Sequence, residues 1–270
     1  NLTNINLSII GKPNSGKSTL FNCLMGKDIS PVGDEYGLTK IIYKDTFIHK
    51  NKNFVIVDTP GLRRRNKIYE NNEKSRNAEV LKLLNNVEII ILLIDSIENI
   101  TKQDFKLADM SIKKNKILFF LFNKIDIIDD KKKFKIKIKN YLKKNYSKYK
   151  LINIDFISAK KNTKVKAVLN QIILKQDLLS TQISKSNLNK FIIFLNKQSK
   201  FPKIKNIAIK PKYIVQIKNS IPKFKIFINS KNRTPKIFDR FFDNAFREYF
   251  ELEGVPIIFD YISSKNPYTN

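Results

Sequence analysis

One cysteine, Cys23, stands among 270 residues. No disulfide can close within such a chain, which points to a reducing compartment. Cys23 falls in a helix-compatible run and reads as a small core residue rather than a nucleophile. Long apolar runs are also missing. Crossing a bilayer takes roughly 18 apolar residues in a row, and the longest candidate, within Val87–Ile94, has only strand length. The start shows no charged segment leading into an apolar one, so no signal peptide is expected and the cytoplasm is the expected location. The first residue is Asn rather than Met, so a fragment or a processed chain is expected. Tryptophan is absent and glycine is scarce, with seven residues, six of them at or before Gly61.

Acidic residues are few as well: 24 against 52 basic ones, a net charge of +28. Such an excess points to a polyanionic partner, with RNA or a ribosome first in line. A rival explanation is compositional, because lysine, asparagine and isoleucine are all overused. Residues 176–270 carry +10 and the first 175 the other +18, so at this division the charge is spread over both parts.

Against this background, Gly11-Lys12-Pro13-Asn14-Ser15-Gly16-Lys17-Ser18 fits the pattern G-x-x-x-x-G-K-[ST]. An apolar strand-like run, Ile5–Ile10, precedes it and a helix-compatible run, Lys17–Met25, follows. Glycines at 11 and 16 let successive N–H groups turn inward on an anion, and the helix N-terminus adds its positive end. Lys17 would neutralise the β- and γ-phosphates, and the Ser18 hydroxyl would ligate magnesium. Downstream, Thr39 sits in a Gly- and Asp-rich connection, where its hydroxyl can reach magnesium and its N–H the γ-phosphate. A strand-like hairpin, Ile41–Ile48 and Phe54–Val57, ends in Asp58-Thr59-Pro60-Gly61. Asp58 can hold magnesium through water, and the Gly61 N–H can meet a γ-phosphate.

The strand-like Lys116–Phe122 ends in Asn123-Lys124-Ile125-Asp126. A carboxylate at Asp126 can accept both the N1–H and the N2–H of guanine, a donor pair that adenine lacks. Asn123 can tie neighbouring loops together, and the Lys124 stem can lie over the base. A second strand, Ile152–Ile157, ends in Ser158-Ala159-Lys160, where the Ala159 N–H can face the guanine O6.

Helices are expected from Ser75 to Asn86, with Ala78, Leu81 and Leu84 as the apolar stripe, and from Thr101 to Lys114. Another falls within Asp129–Lys150, a lysine-crowded surface helix with nucleic-acid contact as the minority reading, and the last of this unit is Val165–Leu179. Strands fill Val87–Asp95 and the two runs above. The polar Gln182–Asn187 marks a boundary between domains 1–181 and 182–270. The second unit reads α-β-β-α-β: Leu188–Gln198, Tyr213–Ile217, Phe224–Ile228, a helix from Pro235 to Leu252 capped by Thr234, and Val255–Tyr261. The helix aromatics recur every three or four residues, as core packing requires.

With these motifs in order, the chain resembles the translation-factor-related GTPases, and among them the Der (EngA) ribosome-assembly family, in its second GTPase domain and C-terminal KH-like domain. The resemblance rests on Gly11–Asn22, Asp58–Glu70 with the run Arg63-Arg64-Arg65, Asp95–Asp104, Asn123–Asp126 and Phe250–Ile257. It implies an α/β fold, a P-loop GTPase domain with a mostly parallel sheet flanked by helices, followed by a small α+β KH-like domain. It implies a GTP-binding and GTP-hydrolysing switch in large-subunit ribosome biogenesis, with GTP or GDP and magnesium as cofactors, the large subunit and its rRNA as partners, no membrane, and another GTPase domain missing upstream. The alternative is a GTP-regulated RNA-binding module of the Era type. By resemblance Gly11–Ser18 bind phosphates, Ser18, Thr39 and Asp58 hold magnesium, Asp58–Leu62 sense the γ-phosphate, Asn123–Asp126 and Ser158–Lys160 read guanine, and Asn14 matches a position that binds potassium. Lys17, Thr39 and Gly61 would carry the catalytic roles. Leu62 stands where Ras-like proteins place a water-orienting glutamine, which implies slow intrinsic hydrolysis. The family's Gly-Thr-Thr-Arg becomes Gly37-Leu38-Thr39-Lys40, and no G-x-x-G is possible in the second unit, so the usual KH clamp on an RNA backbone is absent.

Overall fold

A computed structural model of the chain describes residues 4–26, 43–58, 80–198, 201–204, 207–230 and 234–263. It divides into two compact units, Asn1–Gln176 and Asp177–Asn270. The first is built on a six-stranded sheet: β1 (Asn4–Ile10), β2 (Tyr43–His49), β3 (Lys52–Asp58), β4 (Ile89–Asp95), β5 (Ile117–Asn123) and β6 (Ile152–Phe156). The spatial order is β2-β3-β1-β4-β5-β6, with β2 antiparallel to β3 and all other pairs parallel. The described helices are α1 (Lys17–Met25), α2 (Lys102–Lys113), α3 (Lys131–Asn145) and α4 (Val165–Asp177).

Strands β4 and β5 are buried at every position, as parallel strands covered on both faces must be. Ile90, Leu92, Leu118, Phe120 and Phe122 form the centre of one core cluster. This rigid centre matters because four strand ends converge there. The loops after β1, β4, β5 and β6 all leave from the sheet's carboxyl edge, where the strand order reverses around β1. Open α/β sheets bind ligands at that place.

Helical faces differ from the sequence expectation at several points. Residues 80–84 are helical, and the buried side chains are Leu83, Leu84 and Val87 with Val80 packed against them. Leu81, expected in the stripe, is 39% exposed, because it lies off the 80/83/84/87 face. Ser75 and Ala78 fall outside the described residues. Along α3, Phe134, Ile138 and Leu142 face the core, while Ile136 and Tyr141 point outward. Cys23 is only half-buried rather than a core residue, and its partial burial pushes the thiol's pKa up, away from a reactive thiolate.

The second unit carries α5 (Lys185–Gln198), a two-residue hairpin of β7 (Lys203–Ile204) and β8 (Ile207–Ala208), then β9 (Pro211–Ile217), β10 (Lys223–Ile228), α6 (Lys236–Tyr249) and β11 (Ile258–Ser263). The three longer strands form a sheet in the order β11-β10-β9, with β10 and β11 parallel and β10 and β9 antiparallel. Helix α5 starts three residues before the expected Leu188, inside the polar segment. The β7–β8 hairpin went unforeseen. Pro235, with extended backbone at φ −72° and ψ 149°, occupies the N-cap of α6 that was expected of Thr234. Strand β11 begins at Ile258 rather than Val255. Phe238, Phe242 and Phe246, spaced by four, are fully buried with Phe191, Phe224 and Ile226. Arg247 is 3% exposed and stays satisfied: it donates to Asp243 at 2.8 Å, to the Leu252 carbonyl at 3.2 Å and to the Val255 carbonyl. It thereby fixes the turn that leads from α6 to β11.

Candidate functional site

The loop Gly11–Gly16 joins β1 to α1. Its two glycines are required by their neighbours. Gly11 has φ +148° and a Cβ there would run into the Leu93 carbonyl oxygen of β4; Gly16 has φ +94° and a Cβ would run into the Asn123 side-chain amide. Asn14 also takes a positive φ, 64°, which asparagine tolerates better than most residues. Helix α1 has no side-chain cap and no acidic residue in its first turn, so its leading N–H groups face the loop hollow without a protein anion. By contrast, α2 opens with Thr101 and Asp104, whose carboxylate accepts from the Thr101 N–H at 2.8 Å, and α3 with Asp130, which accepts from the Lys133 N–H at 2.9 Å.

Lys17 folds back over the loop, donating to the carbonyls of Gly11 at 3.1 Å and Lys12 at 2.6 Å. Its charge therefore lies across the hollow. Ser18 is exposed at the start of α1, as are Pro13 and Asn14, whereas Ser15 is buried. Lys12 turns the other way, to Asp104 at 3.3 Å and Glu98 at 3.7 Å. It holds the outer wall of the loop against α2.

Asn123 is the junction of the site. It is 2% exposed. Its amide donates to the Ser15 carbonyl at 2.9 Å, and its Oδ1 accepts the Ala159 N–H at 2.9 Å. One side chain thus locks the phosphate loop to the loop after β6, as the sequence suggested. The Ala159 N–H, expected to face the guanine O6, donates to Asn123 in this structure. Lys124, at φ 64°, pairs with Asp95 at 2.5 Å, and Asp95 also accepts the Ile97 N–H at 3.0 Å. The strand register sets Asp95 directly beside Asn123.

Asp126 follows in a single 3-10 turn, Ile125–Ile127. The Ser158 hydroxyl, hydrogen-bonded to it, holds its carboxyl below the usual range, and Lys161 and Lys160 act in the same direction. Asp126 is therefore ionised at neutral pH. Its Oδ1 is shielded from solvent and takes no hydrogen bond. A buried carboxylate oxygen without a donor is costly, and it is the feature that a donor-bearing ligand would satisfy. Ser158 itself is fully buried and its hydroxyl accepts the Lys161 N–H at 3.1 Å; Lys160 is exposed beside it.

The structure therefore brings Gly11–Ser18, Asn123–Asp126 and Ser158–Lys160 to one edge. Asp58 ends β3, but its side chain, and Thr39, Thr59, Pro60, Gly61 and Leu62, lie outside the described residues. Sequence reasoning assigned no role to Asp95, which positions Lys124, or to Asp104, which anchors Lys12. The signals were their place at a strand end and a helix start and the bounds of the segment Asp95–Asp104 in the family resemblance.

Comparison with known proteins agrees with this architecture. Residues 6–124 match the family described as "50S ribosome-binding GTPase", and residues 182–261 match "KH-domain-like of EngA bacterial GTPase enzymes, C-terminal". Among curated proteins the chain is 35% identical over 216 residues to GTPase Der of Borreliella burgdorferi, covering 80% of this chain and 49% of that protein. It is 28% identical over 267 residues to GTPase Der of Rickettsia prowazekii, covering 98% of this chain and 60% of that one. The chain thus spans about half the length of the curated relatives it matches. A crystal structure of Era in complex with MgGDPNP and nucleotides 1506–1542 of 16S ribosomal RNA shares the fold, at a TM-score of 0.50 and 21% identity over 97% of this chain and 93% of that one. A P-loop GTPase fold followed by an EngA-type KH-like domain places the chain in the Der (EngA) family of GTPases.

Proposed function

We propose that the chain is a GTP-binding and GTP-hydrolysing switch that acts in assembly of the large ribosomal subunit. The observation that carries the nucleotide reading is the shielded, ionised and unpartnered Oδ1 of Asp126, set on the same framework as a phosphate loop through Asn123. Guanine offers that carboxylate an adjacent pair of N–H donors, which adenine lacks. The N–H groups of Gly11–Ser18 hold the phosphates, and Lys17 neutralises charge that develops between the β- and γ-phosphates. With the Ala159 N–H taken by Asn123, contact to the guanine O6 falls to the next amide of the loop, Lys160.

Ser18 presents at the front of α1 a hydroxyl that suits magnesium, and by the resemblance Asp58 and Thr39 would complete the set. When bound, the ion supplies Lewis-acid stabilisation of the phosphate oxygens. By the resemblance, Thr39 and Gly61 would turn their N–H groups to the γ-phosphate, and loss of that phosphate would release their segments. Leucine at 62 cannot orient water by hydrogen bonding, so intrinsic hydrolysis is slow. By the resemblance Asn14 would hold a potassium ion, which would supply the fixed cation that other systems bring as an arginine. The ribosomal partner rests on the family and on the basic charge, and the site of action is the cytoplasm.

The test is equilibrium binding of GTP, GDP and ATP with magnesium, followed by hydrolysis in potassium and in sodium. Guanine nucleotides binding at least a hundredfold tighter than ATP, with faster hydrolysis in potassium, are expected. Equal binding of ATP and GTP would overturn the assignment of Asp126, and equal rates in the two salts would remove Asn14 from its role.

A further inference from the structure

The positive charge of the chain is concentrated. Between residues 131 and 166 stand fourteen lysines and one acidic residue, Asp155, which is +13 of the total +28. An even spread would place about +4 there, small beside the field such a cluster creates. General lysine enrichment does not explain the concentration, although Asp126, Asp129 and Asp130 stand just before it. The fold gathers the stretch at one side of the first unit, on α3, the edge strand β6, and the turn from β6 into α4.

Helix α3 carries eight lysines and no acidic residue, with Lys131, Lys132 and Lys133 all in its first turn. Cations at a helix N-terminus oppose the macrodipole, and here a single capping carboxylate, Asp130, stands against three lysines. Lys131, Lys135, Lys139 and Lys143 follow one another at intervals of four. They rise in steps of about 6 Å along one winding row, the order of the spacing between successive phosphates on a nucleic-acid strand.

The row starts at a cleft of about 200 Å³ walled by Lys131, Lys135, Lys161 and Lys164, with Phe156, Ser158 and Asp126 also lining it. The Lys135 ammonium lies 5.8 Å above the Phe156 ring centre. Burial lowers its pKa, and Lys164, Lys131 and Lys139 push the same way against the opposing pull of Asp155. Four cations therefore surround a hollow whose one lining carboxylate is Asp126.

We propose that this cleft and the lysine row of α3 seat the phosphate backbone of an RNA strand, without reading its sequence. The regular row favours a polymer with evenly spaced charges over an acidic protein surface. The choice of RNA rests on the ribosomal reading given above, and the cleft shares Asp126 and Ser158 with the guanine-reading loops.

The experiment uses the full chain and a fluorescein-labelled 20-nucleotide polyuridylate, with anisotropy titrations from 50 to 300 mM KCl. K131Q/K135Q/K161Q/K164Q is compared with K44Q/K50Q/K82Q/K113Q, an equal loss of charge at exposed positions elsewhere on the first unit. The cleft variant is expected to lose at least tenfold in affinity at 150 mM KCl, and its log–log salt slope to fall by about 3, since each single-strand phosphate contact contributes about 0.7. The control should lose less than threefold. K131R/K135R/K161R/K164R, which keeps the charge, should bind like the parent and guards against loss through misfolding. Equal losses in the two glutamine sets, or an unchanged salt slope, would overturn the proposal. So would polyglutamate competing as well as the RNA. A chain that binds RNA through this cleft yet no guanine nucleotide would uphold it while sinking the switch.

Discussion

Asn123 offers the sharpest perturbation of the site's framework. Its side chain makes two buried hydrogen bonds, both 2.9 Å, to loops 108 and 36 residues away in sequence. Asn123→Ala removes both at once. The Ser15 carbonyl and the Ala159 N–H then stay buried with nothing to pair with, since Ser15 is 1% and Ala159 4% exposed. Each stranded group costs about 1–3 kcal/mol, so the first unit should lose about 2–6 kcal/mol without ligand. The vacated space beside Gly16 adds a smaller packing cost. Urea unfolding followed by circular dichroism measures the total. Hydrogen exchange of the Ala159 amide isolates one bond, and its protection should fall at least tenfold. Asn123→Asp keeps an acceptor for the Ala159 N–H but sets a carboxylate against the Ser15 carbonyl. It should preserve protection at Ala159 while still costing stability. A loss below about 1 kcal/mol for Asn123→Ala, with exchange at Ala159 unchanged, would refute the claim that this residue joins the two loops.

Gly16→Ala should destabilise the first unit by at least about 2 kcal/mol in urea, because the residue sits at φ +94° against the Asn123 amide. A near-neutral result would mean the loop relaxes freely. In the second unit, Arg247→Ala should cost about 3–5 kcal/mol, since Asp243 and two carbonyls lose a buried cation; intact melting of that unit would contradict the role given to the Arg247 turn. Ser158→Ala should raise the Asp126 pKa, read by carboxyl NMR, because the hydroxyl is the main cause of its depression. A depressed carboxylate contributes stability that is present above its unfolded pKa and lost as pH falls through the folded value. The variant should therefore lose that contribution at higher pH than the parent, and an unmoved titration would exclude Ser158 as the cause.

Local chemistry made much of this site legible in the sequence. Gly11 and Gly16 announce a backbone that side chains would block, and the all-apolar centres of β4 and β5 announce buried parallel strands. Asn123 could be read as a tie because amide side chains at a strand end have few other uses. Pairings across the fold were not legible. Lys12 and Asp104 lie 92 positions apart, and neither Lys124 with Asp95 nor the capture of the Ala159 N–H by Asn123 follows from spacing. One face was misread where apolar residues outnumber the places that bury them, at Leu81. The two-residue strands β7 and β8 are too short for any periodicity to show. The lysine-crowded helix within Asp129–Lys150 was legible in the sequence, but its joining with Lys161 and Lys164 around one cleft was not.

Asp126→Asn tests the central claim directly. Asparagine offers a donor where guanine also offers one, whereas xanthine presents an acceptor in place of the exocyclic amine. Equilibrium binding of GTP and xanthosine triphosphate to the parent and the variant should show a loss of at least about a hundredfold for GTP and a gain for the xanthine nucleotide. An undiminished preference for GTP would contradict the reading of Asp126 as the group that chooses the base.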